Sequence, residues 1–273
     1  MSARTLVKDL APPAFLDLYR RWSGRSLRFT DQPATFEDAK RLSTSYAAPQ
    51  ILERTLAATR AVTSGAAAFE RDSILFDEPD FPFPILATLL RAAAGGSGRL
   101  EVNDFGGSLG STFRQCRTFL PAALPVRWQV IEQPAFAEAG RQEFATDELQ
   151  FFASLSDLPA PSANSVTVAS SVLQYLDAPL ETLQQLGDLP AGQLIIDRTP
   201  MSALANDRLC IQHVPAHIYK ASYPCWIFSR AGLLERLSTR WNLLADYLCP
   251  EGTARTDDGL SFEFRGLILE RKP

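Results

Sequence analysis

Several residue types are scarce in this chain of 273 residues, and each scarcity argues against a class of protein. Only four of its 27 basic residues are lysines, and no basic cluster with interleaved aromatic residues occurs, so we expect no nucleic-acid partner. The four cysteines stand far apart without a C-x-x-C pair. We therefore expect reduced, mostly buried thiols, with neither a disulfide framework nor a zinc site.

Long apolar runs are also lacking. No run approaches the length of a membrane span, and the first residues, MSARTLVKDLAPPAF, lack the apolar core of a signal peptide. We expect a cytoplasmic protein with no membrane partner. With 46% hydrophobic residues, 21% charged residues and a net charge of −4, the composition is typical of a globular enzyme with one large domain and some additions.

The most informative stretch is LEVNDFGGSLGSTF, residues 100–113. An apolar-alternating strand breaks at Asp104, glycines follow at Gly106, Gly107 and Gly110, and the next residues favour a helix. Glycine allows a positive φ and a close approach of a ligand to the main chain. A strand, a glycine-rich turn and a helix start predict a site for a nucleotide-like ligand at the carboxyl end of a parallel sheet, although an ordinary β-turn-α has the same outline.

The acid in this turn narrows the choice of ligand. In a dinucleotide-binding fold the turn offers backbone N–H groups to a pyrophosphate, which a carboxylate at its mouth would repel. S-adenosylmethionine (SAM) has an ammonium and a sulfonium instead, and it suits an acid there. The turn resembles motif I of the class I SAM-dependent methyltransferases, D-x-G-x-G-x-G, with Ser108 in the place of the middle glycine. The resemblance implies SAM as cofactor, bound by Asp104, Gly106, Gly107, Ser108 and Gly110.

The second strand, residues 126–132, ends in an acid. A carboxylate at this place can accept hydrogen bonds from both hydroxyls of a ribose, so we predict that Glu132 binds the ribose, with Gln133 beside it. A solvent-facing carboxylate at a strand end is the other interpretation. In methyltransferases the segment after the third strand, here residues 149–154, contacts the adenine, which makes Ser156 and Asp157 candidates.

The segment SSVLQYLDAP, residues 170–179, is similar to the fourth-strand motif of the same enzymes. There an apolar strand ends in a small polar residue and leads into a helix start of the form V-L-x-x-L-x-x-P. The resemblance implies that Ser170, Ser171 and Gln174 contact the cofactor.

After a fifth strand, residues 192–200, the loop QHVPAHIYKASYPCW gathers both histidines, two tyrosines and a lysine where substrate-facing residues belong. A histidine has the pKa to take a proton from an oxygen or nitrogen acceptor, so we predict His217, then His213, as general base, with Tyr219 beside it. Pro215 between the histidines argues against a helix and therefore against a metal pair. A structural role for both histidines is the alternative.

Four further side chains are candidates for binding the acceptor. Arg198 and Tyr223 lie on either side of the histidines in sequence, and Arg198 would suit an acidic acceptor. Arg71 and Tyr46 would reach the acceptor if the N-terminal helices fold over the pocket as a lid. In the alternative interpretation, Glu70-Arg71-Asp72 is a solvated helix end. We predict these helices from residue 36, capped by Thr35, and from residue 50 to about residue 69.

The motifs together, from about Phe36 onward, resemble a subfamily of methyltransferases whose members lie mostly in bacterial polysaccharide and natural-product gene clusters. The implied fold is α/β, a Rossmann-like class I methyltransferase fold with a seven-stranded, mainly parallel sheet, an antiparallel last strand and an N-terminal helical extension. We place the extension at residues 1–80 and the SAM-binding domain at residues 81–273. A homodimer would give the apolar stripe of the N-terminal helices a partner.

The leading hypothesis is a SAM-dependent methyltransferase that acts on a small molecule, at oxygen rather than nitrogen or carbon, without a metal. The second hypothesis is a binding or regulatory protein that keeps the fold and has lost transfer. A nicotinamide-dependent oxidoreductase fits worst, because Asp104 stands in the turn and the G-x-G-x-x-G spacing is lacking.

Overall fold

The computed structural model describes residues 27–30, 32–44, 49–96, 98–214 and 221–273. The described strands are, in chain order, β1 (Arg28–Thr30), β2 (Phe69–Arg71), β3 (Ile74–Phe76), β4 (Leu100–Phe105), β5 (Val126–Ile131), β6 (Leu149–Phe152), β7 (Val166–Ser170), β8 (Gln193–Ser202), β9 (Arg208–His213), β10 (Ser222–Ser229), β11 (Trp241–Arg255) and β12 (Ser261–Arg271). The described helices are α1 (Phe36–Arg41), α2 (Pro49–Thr63), α3 (Phe83–Gly95), α4 (Ser111–Arg117), α5 (Pro134–Glu143), α6 (Pro179–Asp188) and α7 (Arg230–Leu237). None of these helices is long and apolar enough to cross a membrane.

The chain divides into two compact units. The larger consists of residues 47–208, 226–254 and 262–273, and the smaller consists of residues 1–46, 209–225 and 255–261. The boundary at residue 80 between an extension and a SAM-binding domain stays a prediction.

The larger unit is built on a sheet whose strands follow the order β6-β5-β4-β7-β8-β12-β11. The strands from β6 to β8 are parallel to their neighbours, whereas β12 runs antiparallel to β8. This is the Rossmann-like sheet that the sequence predicts, including its antiparallel last strand. The strand order reverses between β4 and β7, and α/β proteins of this kind bind their ligands at the carboxyl ends of the strands where the order reverses.

Helices cover both faces of this sheet. Ile195 packs with α3, α4 and α5 into one core, whereas its neighbours Leu194 and Ile196 pack with α6 and α7 into a second core. Because successive side chains of a strand point to opposite faces, a sheet covered on both sides needs nearly continuous apolar strands. The two cores therefore hold the carboxyl ends of β4, β5, β7 and β8 in fixed positions.

The apolar stripe of α2 packs on the same chain. Ile51, Leu52 and Leu56 lie against the core formed with α3, α4 and α5. This part of the stripe is therefore covered by the same chain, and a homodimer stays a prediction.

In the smaller unit β1 pairs antiparallel with β9, with Arg28 opposite His213 and Thr30 opposite Ile211. Thr35 caps α1 as predicted, because its side-chain oxygen accepts the backbone N–H of Asp38 at 3.1 Å. Cys116, Cys210, Cys225 and Cys249 are all buried, which confirms the expectation of mostly buried thiols.

Three predicted elements differ from the structure. The helix predicted to reach about Phe69 ends at Thr63, since Gly65 has a φ of +78° and the chain turns into the hairpin β2–β3. The sequence also predicts a strand from Trp241 to Leu248, and in the structure this strand, β11, continues to Arg255, seven residues further. The described ends of the histidine loop belong to strands β9 and β10, while residues 215–220 lie outside the described residues.

Candidate functional site

The glycine-rich turn joins β4 to α4 at the carboxyl edge of the sheet. Gly106 has a φ of +74°, and a Cβ there would lie 2.4 Å from Val172 Cγ2. A Cβ at Gly107 would lie 2.5 Å from Asp104 Oδ2. Both positions therefore require glycine. Ser108 has a φ of +55°, so the serine adopts the left-handed backbone angle that a glycine would supply more easily.

Asp104 lies beneath this turn. Its side chain is 1% exposed, and Oδ2 accepts a hydrogen bond from Trp128 Nε1–H at 2.9 Å. Burial raises the pKa of Asp104 to about 7; the bond from Trp128 counteracts this shift and the nearby Glu132 adds to it. The prediction that this carboxylate stands at the mouth of the turn is wrong, because the side chain points into the core below Gly107. Whether it contributes to cofactor binding stays a prediction.

Glu132 follows β5 directly beside the turn. Phe105 pairs with Ile131, and the backbone N–H of Gly106 donates to the Ile131 carbonyl at 2.9 Å. Glu132 Oε2 accepts the backbone N–H of Gln133 at 2.7 Å. Burial raises the pKa of Glu132, and the backbone N–H groups of Gln133 and Ser108 counteract the shift. The half-buried carboxylate thus has the position predicted for a ribose ligand, while the contact itself stays a prediction.

A third carboxyl group, which the sequence did not reveal as a site residue, lies at the start of α4. Glu70 is 5% exposed; its Oε1 accepts the hydroxyl of Ser111, and its Oε2 accepts the backbone N–H of Ser73 at 3.2 Å. Burial raises the pKa of Glu70, against the effect of both hydrogen bonds. The interpretation of residues 70–72 as a solvated helix end is therefore wrong for Glu70.

A local signal for this hairpin exists in the sequence. Asp72 and Ser73 both have positive φ, at 52° and 64°, which is the turn that favours a two-residue β-hairpin. The rings of Phe69 and Phe76 stack across it with centroids 4.5 Å apart. In the sequence, Phe69 and Phe76 stand three residues before and after the polar pair Asp72-Ser73. This symmetric pattern would have indicated a hairpin instead of a helix end.

The three residues predicted on the fourth strand lie at the end of β7. Ser170 Oγ donates to Asp197 Oδ2 at 2.9 Å, and Ser171 has a left-handed φ of +54°. Gln174 is fully buried, and its Nε2 donates to Ser171 Oγ at 3.2 Å and to the Arg198 carbonyl at 3.3 Å. Gln174 thus ties the end of β7 to β8, and contact of these residues with a cofactor stays a prediction.

Two arginines predicted to bind the acceptor have carboxylate partners of their own. Arg198 Nε donates to Glu251 Oε1 at 2.5 Å, and its Nη2 donates to Asp72 Oδ2 at 3.1 Å. Burial lowers the pKa of Arg198, but Asp72 and Glu251 outweigh it and the net shift is upward. Arg71 pairs with Asp80 at 2.7 Å. An acidic acceptor would compete with these carboxylates for Arg198, and the binding of an acceptor by Arg198 stays a prediction.

A second group absent from the predictions surrounds Asp197. Besides Ser170, the hydroxyl of Tyr247 donates to Oδ1 at 2.7 Å, and the thiol of Cys249 lies 3.5 Å from the same oxygen. Tyr247 and Cys249 are two residues apart on β11 and therefore share a face. The spacing of two residues could have been recognised in the sequence. Neighbouring residues do not indicate, however, which strand these two side chains contact.

The other predicted residues are less informative. Gln133, Ser156 and Asp157 are exposed, the last two in a short 3-10 helix that follows β6. His213 and Tyr223 belong to the smaller unit, where His213 Nε2 lies 2.7 Å from Thr30 Oγ1. The predictions for His217, Tyr219 and Tyr46 fall outside the described residues. Within the described parts of the chain, no group of three or more histidine, cysteine or acidic side chains could hold a metal ion.

No protein-family model matches the chain, and no curated protein is similar to it in sequence. Among solved structures, a 1,6-didemethyltoxoflavin-N1-methyltransferase of Burkholderia thailandensis with bound 1,6-didemethyltoxoflavin and S-adenosylhomocysteine (SAH) is similar at 16% identity and a TM-score of 0.42, over 84% of this chain and 93% of that one. The N-terminal domain of EvdMO1, in the presence of SAH and D-fucose, is similar at 12% identity and a TM-score of 0.47, over 83% and 100% of the two chains.

A third similar structure is the magnesium protoporphyrin IX methyltransferase of Synechocystis PCC 6803 with bound SAM, at 14% identity and a TM-score of 0.42 over 100% of this chain and 98% of that one. At such identities and TM-scores a residue's role does not transfer from one chain to another. The function of this chain therefore has to be argued from its own side chains.

Proposed function

We propose that this chain is a SAM-dependent methyltransferase that acts on a small molecule. The observation that carries the proposal is the charge around the glycine-rich turn. The carboxyl groups of Asp104, Glu132 and Glu70 lie beneath the turn, beside it and at the start of α4. Burial raises the pKa of all three, which disfavours their charged forms. A ligand with positive charges would favour the charged forms again, whereas a pyrophosphate would disfavour them further.

Arg114, whose charge interacts with that of Glu70, does not reverse that preference. Arg114 of α4 donates through Nη1 to the Leu109 carbonyl, and burial lowers the pKa of Arg114 to about 10. The guanidinium group of Arg114 is therefore already hydrogen-bonded to the backbone of the turn. The balance of charge supports SAM, with its ammonium and sulfonium, over a nicotinamide dinucleotide.

The residues present fit this cofactor. The turn from Gly106 to Gly110 would pass along it, Glu132 would bind its ribose, and Ser156 with Asp157 would contact the adenine. Ser171 would lie near the methionine part. When bound, SAM supplies a methyl group on a positively charged sulfur, which leaves readily once the acceptor is in line.

The protein's own task is then to hold the acceptor in line with the methyl group and to remove a proton where the acceptor carries one. Positioning alone can supply several kcal/mol of the barrier. We propose an oxygen acceptor before nitrogen or carbon, in natural-product or polysaccharide biosynthesis, with His217 or His213 as the first candidates for proton removal. This assignment rests on the sequence resemblance.

Calorimetric titration of ligand-free protein with SAM, SAH and NADH tests the proposal. We expect micromolar binding of SAM and SAH and no binding of NADH. Binding of NADH alone would replace the proposal by an oxidoreductase. Binding of SAM without transfer to any acceptor would favour the alternative of a non-catalytic SAM-fold binding or regulatory protein.

A further inference from the structure

The buried carboxyl group of Asp197 meets hydrogen-bond donors from two other strands. Ser170 of β7 donates to Oδ2, and Tyr247 and Cys249 of β11 approach Oδ1. Asp197 is 6% exposed. Partners that all donate suit a carboxylate, which only accepts, better than a carboxylic acid. Among the described residues, Ser170 thus supplies the hydroxyl that donates to Oδ2, while the two side chains of β11 approach Oδ1.

This group lies next to the glycine-rich turn. Ser170 pairs with Asp197 in the parallel register of β7 and β8, and the preceding Ala169 pairs with Phe105, the last residue of β4. Val172, two residues beyond Ser170, fills the space that a Cβ at Gly106 would need. Neighbouring strands lie about 4.8 Å apart, so Ser170 is level with the start of the turn and one strand away from it.

The position of Tyr247 is fixed by a glycine. Tyr247 belongs to β11, and its hydroxyl reaches β8 across the intervening strand β12. It passes over Gly266, where a Cβ would lie 2.1 Å from Tyr247 Cζ. The register of β12 against β8 shifts between Arg265 and Leu267, at this glycine. A bulge and a glycine in the middle of a strand weaken it, and here they allow the contact with Asp197.

The hydrogen bonds described above allow Ser170 to act toward a ligand only as a hydrogen-bond acceptor. Its hydroxyl proton is given to Asp197, so its oxygen can face a ligand only as an acceptor. Ser170 is half-buried at the carboxyl end of β7, so part of the residue remains accessible. A ligand group that meets this oxygen must therefore bring a hydrogen, as a hydroxyl does.

We propose that Ser170 and Asp197, in place of His217 or His213, form a proton relay for a hydroxyl-bearing methyl acceptor, with Tyr247 as a positioning residue that orients the carboxylate. This inference rests on the proposed function. As the acceptor oxygen bonds to the methyl carbon, its proton passes to Ser170 Oγ and the proton of Ser170 passes to Asp197. The electron pair of the broken carbon–sulfur bond stays on sulfur. Asp197 later returns the proton to solvent.

Three variants with a matched control test the relay. Ser170→Ala removes the hydroxyl, Ser170→Thr keeps it, and Asp197→Asn keeps the shape of the carboxyl without its charge. Ser165→Ala is the control, because Ser165 is buried just before the amino end of β7 and its hydroxyl has no partner among the described residues. For each protein the Kd of SAM is measured by calorimetry. The kcat and KM are measured with labelled SAM and a panel of phenol, catechol, glucose, aniline and thiophenol.

We expect the parent to methylate members of the hydroxyl class. Ser170→Ala and Asp197→Asn should lower kcat at least about 100-fold, the size of a typical general-base contribution, while the Kd of SAM stays within about threefold. Ser170→Thr should retain most of the activity, and Ser165→Ala should match the parent.

Other outcomes overturn the relay in distinguishable ways. A parent-like kcat in Ser170→Ala would remove the proton role. Weaker SAM binding in that variant, in proportion to its lost turnover, would make Ser170 a cofactor contact. Transfer only to aniline or thiophenol, or to no compound by a parent that binds SAM, would refute a relay for hydroxyl groups. A parent that does not bind SAM at all would refute the proposed function itself.

Discussion

The two parts of the candidate site are built in opposite ways. The turn from Gly106 to Gly110 is one continuous stretch whose path is set by positive φ angles at Gly106, Ser108 and Gly110. The group around Asp197 uses side chains from β7, β8 and β11 and the space above a glycine in β12. A ligand shared by many enzymes can be bound by backbone geometry, whereas an acceptor particular to one enzyme needs side chains. In the proposed function, the first region binds the cofactor and the second carries the acceptor chemistry.

The strongest test of this division is Gly106→Ala. The added Cβ would meet Val172 at 2.4 Å at a φ of +74°, so the turn must change its path. We expect the Kd of SAM, measured by calorimetry, to rise at least about 1,000-fold, which is about 4 kcal/mol. Gly65→Ala is the control, since Gly65 has a φ of +78° and no atom within 4 Å of a Cβ. Parent-like SAM binding by Gly106→Ala would exclude the turn as the cofactor site.

Asp104→Asn tests how the carboxyl beneath the turn responds to pH. The pKa of Asp104 is raised from 3.8 to about 7 in the folded state, so the folded protein holds a proton that the unfolded chain has already lost. The free energy of unfolding should therefore fall as the pH rises from about 4 to 7, by at most about 4 kcal/mol at about 1.4 kcal/mol per unit.

Denaturant titrations at several pH values between 4 and 8 measure this slope. In Asp104→Asn the free energy of unfolding should lose the pH dependence that is due to Asp104, because an asparagine side chain carries no charge. Its oxygen can still accept the hydrogen bond from Trp128. The exposed Asp147→Asn should keep the parent's slope. Equal slopes in the parent and in Asp104→Asn would mean that Asp104 stays ionised in the core.

Glu132→Gln tests whether Glu132 binds the ribose or is a carboxylate at a strand end without a ligand. Loss of a charged hydrogen-bond acceptor should weaken SAM binding by about 1–3 kcal/mol. Glu138→Gln, on the exposed face of α5 in the same part of the sequence, should leave the Kd unchanged. The same Kd for Glu132→Gln and the parent would return Glu132 to a structural role at the end of β5.

Gly266→Ala and Tyr247→Phe give the smallest effects and act only on the second region. The alanine would displace the ring of Tyr247, whereas phenylalanine keeps the ring and loses only the hydroxyl. We expect turnover to fall about tenfold in the first and less in the second, with SAM affinity unchanged in both, because a small misplacement of a catalytic group costs rate. Gly252→Ala, in open space on β11, is the control. A parallel loss of SAM affinity would show that the two regions are one.

Much of the fold was predictable because its signals are local. A few consecutive residues are enough to predict several of its elements, because their backbone preferences and periodicity can be recognised in a short stretch of sequence. These elements are the apolar strands β4, β5, β7 and β8, the glycine-rich turn and the cap at Thr35. The error at α2 has the same origin. Its apolar stripe predicts a helix well, but the hairpin turn at Asp72 and Ser73 that ends the segment was not recognised.

The chain by itself thus determined the Rossmann-like sheet, the turn at Gly106 and the place of Glu132 beside it. Only the tertiary structure decided that Asp104 is buried, that Glu70 meets Ser111, that Arg198 is held by Asp72 and Glu251, and that Tyr247 reaches Asp197 across Gly266. The reason is physical. Backbone conformation follows from neighbours in sequence, whereas the partners of a buried charge are set by strands that meet only after the sheet has formed.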